Sequence, residues 1–134
     1  MNNKRNTTPE TIINGIRQKS AEDAAVAELI LEWWEGFFAP ECNQESIKLE
    51  FRRGPKGFHP INITSDRKLY LQMPNIRRNT MRFNEADFEH VLDEIGFEKN
   101  PHYPWIPLSS LANDETLNKF QKLMKGLIKQ LRKS

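Results

Sequence analysis

Residues 46–53 have the sequence SIKLEFRR, in which apolar and polar side chains alternate. Ile47, Leu49 and Phe51 form the apolar set, and lysine, glutamate and arginine stand between and after them. An alternation with a period of two predicts a β-strand that buries one face and exposes the other. Such a strand needs neighbouring strands for its hydrogen bonds and a layer that covers its apolar face. The pattern therefore predicts a half-exposed sheet packed on helices.

Turn-forming sequences follow this strand at short intervals. The segments 54–57 and 64–67 are rich in glycine, proline, serine and aspartate, the residues that favour chain reversal. They predict three further strands, at residues 58–64, 68–73 and 80–83, with another turn at 75–79. Short connections favour antiparallel neighbours, so the four strands are predicted to form an antiparallel meander.

Segments with a 3.6-residue apolar period flank the strands. Four residues occupy their helix-capping positions: Thr8, Ser20, Asn84 and Asn113. The second helix is predicted to run from Ala21 to about Phe38, Gly96 to end the third, and residues 97–111 to form an ordered loop. The predicted fold is α+β, a four-stranded antiparallel β-meander flanked by two N-terminal and two C-terminal helices packed on one sheet face. Residues 1–7 are expected to be a disordered arm, and residues 8–134 a single domain.

Composition restricts the class of protein. The chain has 134 residues and a single cysteine, Cys42, so it has no internal disulfide framework. The N-terminus is polar and lacks the apolar core of a signal peptide, and no apolar run approaches the roughly 20 residues of a membrane span. We therefore expect a cytoplasmic protein with no membrane association.

Charge is arranged in blocks although the formal net charge is only +2. Residues 20–45 contain seven acids and no base, whereas residues 46–83 contain nine bases and two acids. Residues 84–115 contain eight acids and one base, and residues 116–134 contain six bases and no acid. The basic block coincides with the predicted sheet, which indicates a cationic sheet surface.

A basic sheet face with an aromatic residue suits nucleic acid, because cations contact phosphates and an aromatic ring stacks on a base. The candidate nucleic-acid-binding residues are Lys48, Arg52, Arg53, Lys56, Lys68, Tyr70, Arg77, Arg78 and Arg82. A solvated sheet face whose lysine and arginine side chains pair with the acidic helices explains the same pattern. We predict a small binding module without catalysis.

Two other functions remain open. Acidic helices of one copy meeting the basic sheet of another would make the chain a homo-oligomer or a protein-interaction subunit, for example in a phage-defence or counter-defence assembly. Glu50 and Asp66, the only acids of the basic block, would hold Mg²⁺ in a metal-dependent nuclease. The histidines and Cys42 lack metal-ligand spacing, so no metal site and no cofactor are predicted. Residues 101–107 place His102, Tyr103 and Trp105 close together, as in a binding loop or a segment that covers a core edge.

The C-terminal segment from Ile106 to Phe120 combines the motif Ile-Pro-Leu with the sequence LANDE at 111–115. This segment resembles the C-terminal end of a family of uncharacterised bacterial proteins, in which a helix and a short β-meander come first. The resemblance implies the same α+β order and a bacterial or phage origin. It carries no activity, ligand or site residue.

Overall fold

The computed structural model describes residues 8–34, 38–42, 45–53, 56–80 and 84–133, without the side chains at positions 34, 38–41, 52, 53, 56, 132 and 133. In chain order the elements are α1 (Pro9–Lys19), α2 (Ala21–Trp34), β1 (Phe38–Cys42), β2 (Ser46–Arg53), β3 (Lys56–Thr64), β4 (Lys68–Leu71), α3 (Met73–Asn79), α4 (Glu85–Ile95), β5 (Trp105–Pro107), a 3-10 turn (Leu108–Leu111) and α5 (Asp114–Lys133).

The five strands form one antiparallel sheet in the order β1-β2-β3-β4-β5. The first four follow one another in the chain and make a meander, with helices before and after it. The predicted α+β class with an antiparallel meander is therefore confirmed. Both edge strands contain a proline, Pro40 in β1 and Pro107 in β5. Proline cannot donate a ladder hydrogen bond, so it suits an edge strand and discourages further pairing there.

The first correction concerns the end of the second helix. The predicted helix runs to about Phe38, whereas α2 ends at Trp34 and Phe38 begins β1 within the described residues. Phe38 pairs with Phe51 and Cys42 pairs with Ile47, so the partner of this segment is the alternating strand β2. The apolar residues near position 38 fit either period, and pairing with β2 decides between them.

The second correction concerns the segment after β4. The third strand was expected to reach Met73 and to be followed by a turn, but it ends at Leu71 and Met73 begins the short helix α3. Met73 and Ile76 bury the same face of α3, and proline is favoured in a first helical turn such as that of α3. Of the fourth strand predicted at 80–83, residues 81–83 lie outside the described residues. The additional strand of the meander is β1, which precedes β2.

The third correction concerns the segment 97–111, which was expected to be a loop. Residues 105–107 form β5 on the open edge of β4, and a 3-10 turn follows. The strand is three residues long, follows Pro104 and ends with Pro107, so it is too short to show a periodicity. Its partner, β4, lies more than 30 residues earlier in the chain.

The predicted caps are confirmed at all four positions. The Thr8 side chain accepts from the Thr11 N–H, and the Ser20 hydroxyl accepts from the Asp23 N–H at 3.2 Å. Asn84 and Asn113 accept from backbone N–H groups in the first turns of α4 and α5. Gly96 ends α4 in the left-handed conformation, with φ 110°, and its N–H donates to Leu92. These side chains satisfy N–H groups that a helix leaves unpaired.

One hydrophobic cluster fills the space between the sheet and the helices. The sheet contributes the predicted apolar sides of its central strands: Ile47, Leu49, Phe51, Ile61, Ile63, Leu69 and Leu71. The ring of the fully buried Phe120 on α5 lies 6.0 Å from that of Trp33 on α2 and 5.9 Å from that of Phe97. Phe120 therefore joins α5 to α2 and to the segment after α4.

Pro60 lies at an irregularity in the pairing of β2 with β3. The register places Glu50 of β2 opposite two residues of β3, His59 and Pro60. This β-bulge takes one residue out of the ladder, which is the setting that admits proline into a central strand. The Pro60 carbonyl accepts a hydrogen bond from the Gln72 N–H at 2.8 Å instead.

Candidate functional site

The side of the sheet opposite the core carries five partly exposed residues that we call the outward face: Lys48, Asn62, Lys68, Tyr70 and Trp105. Four of them form a row across four strands, since Lys48 pairs with Asn62, Asn62 with Tyr70, and Tyr70 with Trp105. Neighbouring strands lie about 4.8 Å apart, so the row is about 14 Å long. The strand alternation produces this row because buried residues flank each of its members.

Two aromatic rings lie side by side at one end of the row. The ring centroids of Tyr70 and Trp105 are 6.3 Å apart, and their planes are inclined by 34°. This separation is within the range of favourable aromatic pairs. Both residues are partly exposed, so the pair gives the outward face a flat apolar area next to its polar residues.

The two lysines of the outward face differ in their surroundings. The Lys68 Nζ lies 4.6 Å from the centroid of the Trp105 ring and 3.6 Å from the Asp66 Oδ2. Its charge is therefore shared between a cation–π contact and a carboxylate. Lys48 forms no ion pair with a described side chain. Its register partner on β1 is Glu41, whose side chain lies outside the described residues.

Asn62 occupies the middle of the row and has an unsatisfied atom. Its Oδ1 is buried, and no described group donates a hydrogen bond to it. A buried acceptor without a donor is uncommon in native proteins. Beyond Asn62 the surface contains a shallow polar depression of about 380 Å³. Its lining residues are Glu45, Ser46, Thr64, Ser65, Asp66 and Tyr70.

Arg77 and Arg78 were predicted in a turn beside the sheet, but they lie on α3. Arg77 donates to Glu85 from Nε at 2.7 Å and from Nη2 at 2.9 Å, and also to the Pro101 carbonyl at 2.9 Å. This hydrogen bonding lowers the pKa of Glu85 and raises the pKa of Arg77. Arg77 therefore fits the alternative explanation of the basic block, in which its lysines and arginines pair with acidic helices. Arg78 is exposed on the same helix.

The remaining predicted cations are described only in part. Arg52 pairs with Gly57 along the backbone, and Arg53 pairs with Lys56. The side chains of these three basic residues lie outside the described residues, as does the whole of Arg82. Of the nine candidates, the structure brings Lys48, Lys68 and Tyr70 together.

The proposed nuclease carboxylates are not brought together. Asp66 lies in the turn after Thr64, which pairs with Ser46, whereas Glu50 is four residues farther along β2. At about 3.3 Å per residue this separates the two positions by about 13 Å. Glu50 is also buried, with its Oε1 3.9 Å from the His59 Nε2. Within the described residues no group of three histidine, cysteine or acidic side chains is placed to hold a metal ion.

Sequence reasoning missed two members of the outward face, Asn62 and Trp105. Trp105 was noted only as part of an aromatic loop, together with His102 and Tyr103. The ring centroids of His102 and Tyr103 are 6.1 Å apart, and Tyr103 is 45% exposed, but Trp105 belongs to β5. The signal for Asn62 was available, because it lies between the apolar residues Ile61 and Ile63.

Comparison of the chain with protein-family models, with curated proteins and with solved structures returns no match. The resemblance of residues 106–120 to a bacterial family stays a prediction. Among the described helices none has both the length and the apolar character needed to cross a membrane.

Proposed function

We propose that this domain binds single-stranded nucleic acid on the outward face, without catalysis. The observation that carries the proposal is the row Lys48-Asn62-Tyr70-Trp105, which combines an aromatic pair with a lysine and an amide on one surface. Sheets that present aromatic side chains stack two or three unpaired bases in several RNA-binding folds. We also propose that the protein is located in the cytoplasm.

Stacking contributes more to this proposal than net charge does. A base can lie on the ring of Tyr70 or Trp105, and such contacts are worth about 1–3 kcal/mol each in single-strand binding. The described lysines add two cations, one of them shared with Asp66. Because the bases of a duplex are already stacked, the proposal favours single strands over double strands.

The test is a titration of fluorescent single- and double-stranded oligonucleotides at two salt concentrations. We expect tighter binding of the single strand and weaker binding at the higher salt. Lys48→Glu should weaken binding, whereas Lys125→Glu, a matched reversal at an exposed position of α5, should have little effect. Equal affinity for both oligonucleotides, or binding that ignores salt and Lys48→Glu alike, would remove the proposal.

Self-association is the second candidate, and the surface of α4 supports it. Four acids of this helix are exposed, Asp87, Glu89, Asp93 and Glu94, and they give one side of the domain a negative field. The outward face of another copy would supply the opposite charge. Light scattering across ionic strength tests this, and a monomer at every salt concentration contradicts it.

A further inference from the structure

A cleft of about 240 Å³ lies between α4 and the segment that follows it. Its floor is apolar and well shielded from water, since Met73 is 2% exposed, Leu92 4% and Phe97 6%. Buried Pro104 closes the floor. The rim has three acidic residues, one basic residue, an asparagine and a proline: Glu89, Asp93, Glu98, Lys99, Asn100 and Pro101. The cleft shares no residue with the outward face.

Acidic side chains exceed basic ones around the cleft. Asp93 pairs with Lys99, whose Nζ lies 3.6 Å from its Oδ2. Glu85 pairs with Arg77, whose guanidinium also attracts the exposed Glu89. The acids Glu85, Glu89, Asp93 and Glu98 therefore outnumber the bases Arg77 and Lys99 by four to two. Their carboxylates stand beside an apolar floor, so the cleft presents negative charge and apolar surface within one small area.

We propose that this cleft binds a peptide segment of a partner protein in which an apolar side chain is flanked by lysine or arginine. The apolar side chain gains by leaving water for the floor formed by Leu92 and Phe97. The flanking cations meet Glu89 and Glu98, and this complementarity selects basic over acidic segments. Pockets for drug-sized ligands measure about 300–1,000 Å³, so the smaller volume here suits one or two side chains.

The cleft and the outward face are suited to different ligands because their charges have opposite signs. Carboxylates at the rim repel phosphate and attract ammonium or guanidinium groups. A nucleic-acid strand bound to the outward face therefore gains no binding energy from the cleft. A chain with both surfaces would hold a basic protein segment and a nucleic acid at once, and each can be tested alone.

The probe is the peptide acetyl-Lys-Lys-Leu-Lys-Lys-amide, titrated into the full chain while backbone amide NMR shifts are recorded. We expect saturable shifts concentrated at Leu92, Phe97 and Asn100. Two control peptides separate the contributions, one with serine in place of leucine and one with glutamate in place of every lysine. Both should bind more weakly than the probe. Equal binding of the serine peptide, or shifts centred elsewhere, overturns the proposal.

The matching variants alter charge and leave the apolar floor intact, so folding is preserved. Glu89→Gln combined with Glu98→Gln should weaken probe binding about three- to tenfold, the range expected when two exposed ionic contacts are lost. Glu94→Gln combined with Glu115→Gln removes the same charge from exposed positions outside the cleft. That control should leave the affinity within about twofold of the parent. Equal losses in both pairs would show that the peptide responds only to net charge, which also overturns the proposal.

Discussion

The carboxylate of Glu50 on β2 lies directly over Gly57 on β3, so that a Cβ at position 57 would overlap the Glu50 Oε2. Glu50 is only 7% exposed. We expect Gly57→Ala to force this buried side chain to move and to lower the free energy of unfolding by about 1–3 kcal/mol. Urea denaturation followed by circular dichroism measures the change.

Two comparisons isolate the contact between Glu50 and Gly57. Gly15→Ala is the matched control, since an added Cβ on the exposed side of α1 meets no atom within 4 Å and raises helix propensity. It should stabilise the protein by up to about 1 kcal/mol. In a Glu50→Ala background, Gly57→Ala should lose most of its cost, because the overlapping atoms are gone. Additive effects of the two changes would contradict the contact.

Trp105→Leu tests the stacking contribution to the proposed function. Leucine retains apolar bulk on β5 but removes the ring, so single-strand affinity should fall by about 1–3 kcal/mol, or roughly five- to 150-fold. Fluorescence anisotropy with a labelled oligonucleotide measures this. Tyr103→Leu is the control, because Tyr103 is an exposed aromatic residue outside the outward face. A similar loss in both variants would mean that the Trp105 ring has no special role.

The parts of the fold that were predicted are those encoded by local signals. The alternation of residues 46–53 identified β2, and the capping side chains of Thr8 and Asn84 marked helix starts that the structure confirms. The strands at 38–42 and 105–107 were missed because they are short edge strands containing proline. Their conformation depends on pairing with strands elsewhere in the chain, which local sequence does not report.

Salt dependence provides a test of the two described lysines. Each phosphate contact to a single strand contributes about −0.7 to the slope of log affinity against log salt concentration. Lys48→Gln and Lys68→Gln should each make this slope shallower by about that amount. Lys129→Gln, at an exposed position of α5, serves as the control and should leave the slope unchanged. A slope that is indifferent to both outward-face variants would contradict phosphate contacts at these lysines.

The candidate site was only partly predictable for a related reason. Alternation placed Lys48 and Tyr70 on one face correctly, because each belongs to a strand with a clear period. Arg77 was assigned to the same surface from its place in the basic block, yet α3 carries it to Glu85. Trp105 reaches Tyr70 only through the pairing of β4 with β5, so their aromatic contact has no local signature.

The ion pair between Arg77 and Glu85 predicts a pH dependence of stability. Because the hydrogen bond from Arg77 lowers the pKa of Glu85 in the folded protein, the pair stabilises the fold above the ordinary carboxyl pKa of about 4.3. This stabilisation is lost as the pH falls through the lower, folded-state pKa.

Glu85→Gln should therefore cost at most about 1 kcal/mol at neutral pH, as expected for a partly exposed pair, and nothing once the carboxylate is protonated. Urea midpoints of the parent and of Glu85→Gln, measured from pH 7 down to the acid limit, give the difference. A cost of Glu85→Gln that persists undiminished below the folded-state pKa would contradict the role of the ion pair.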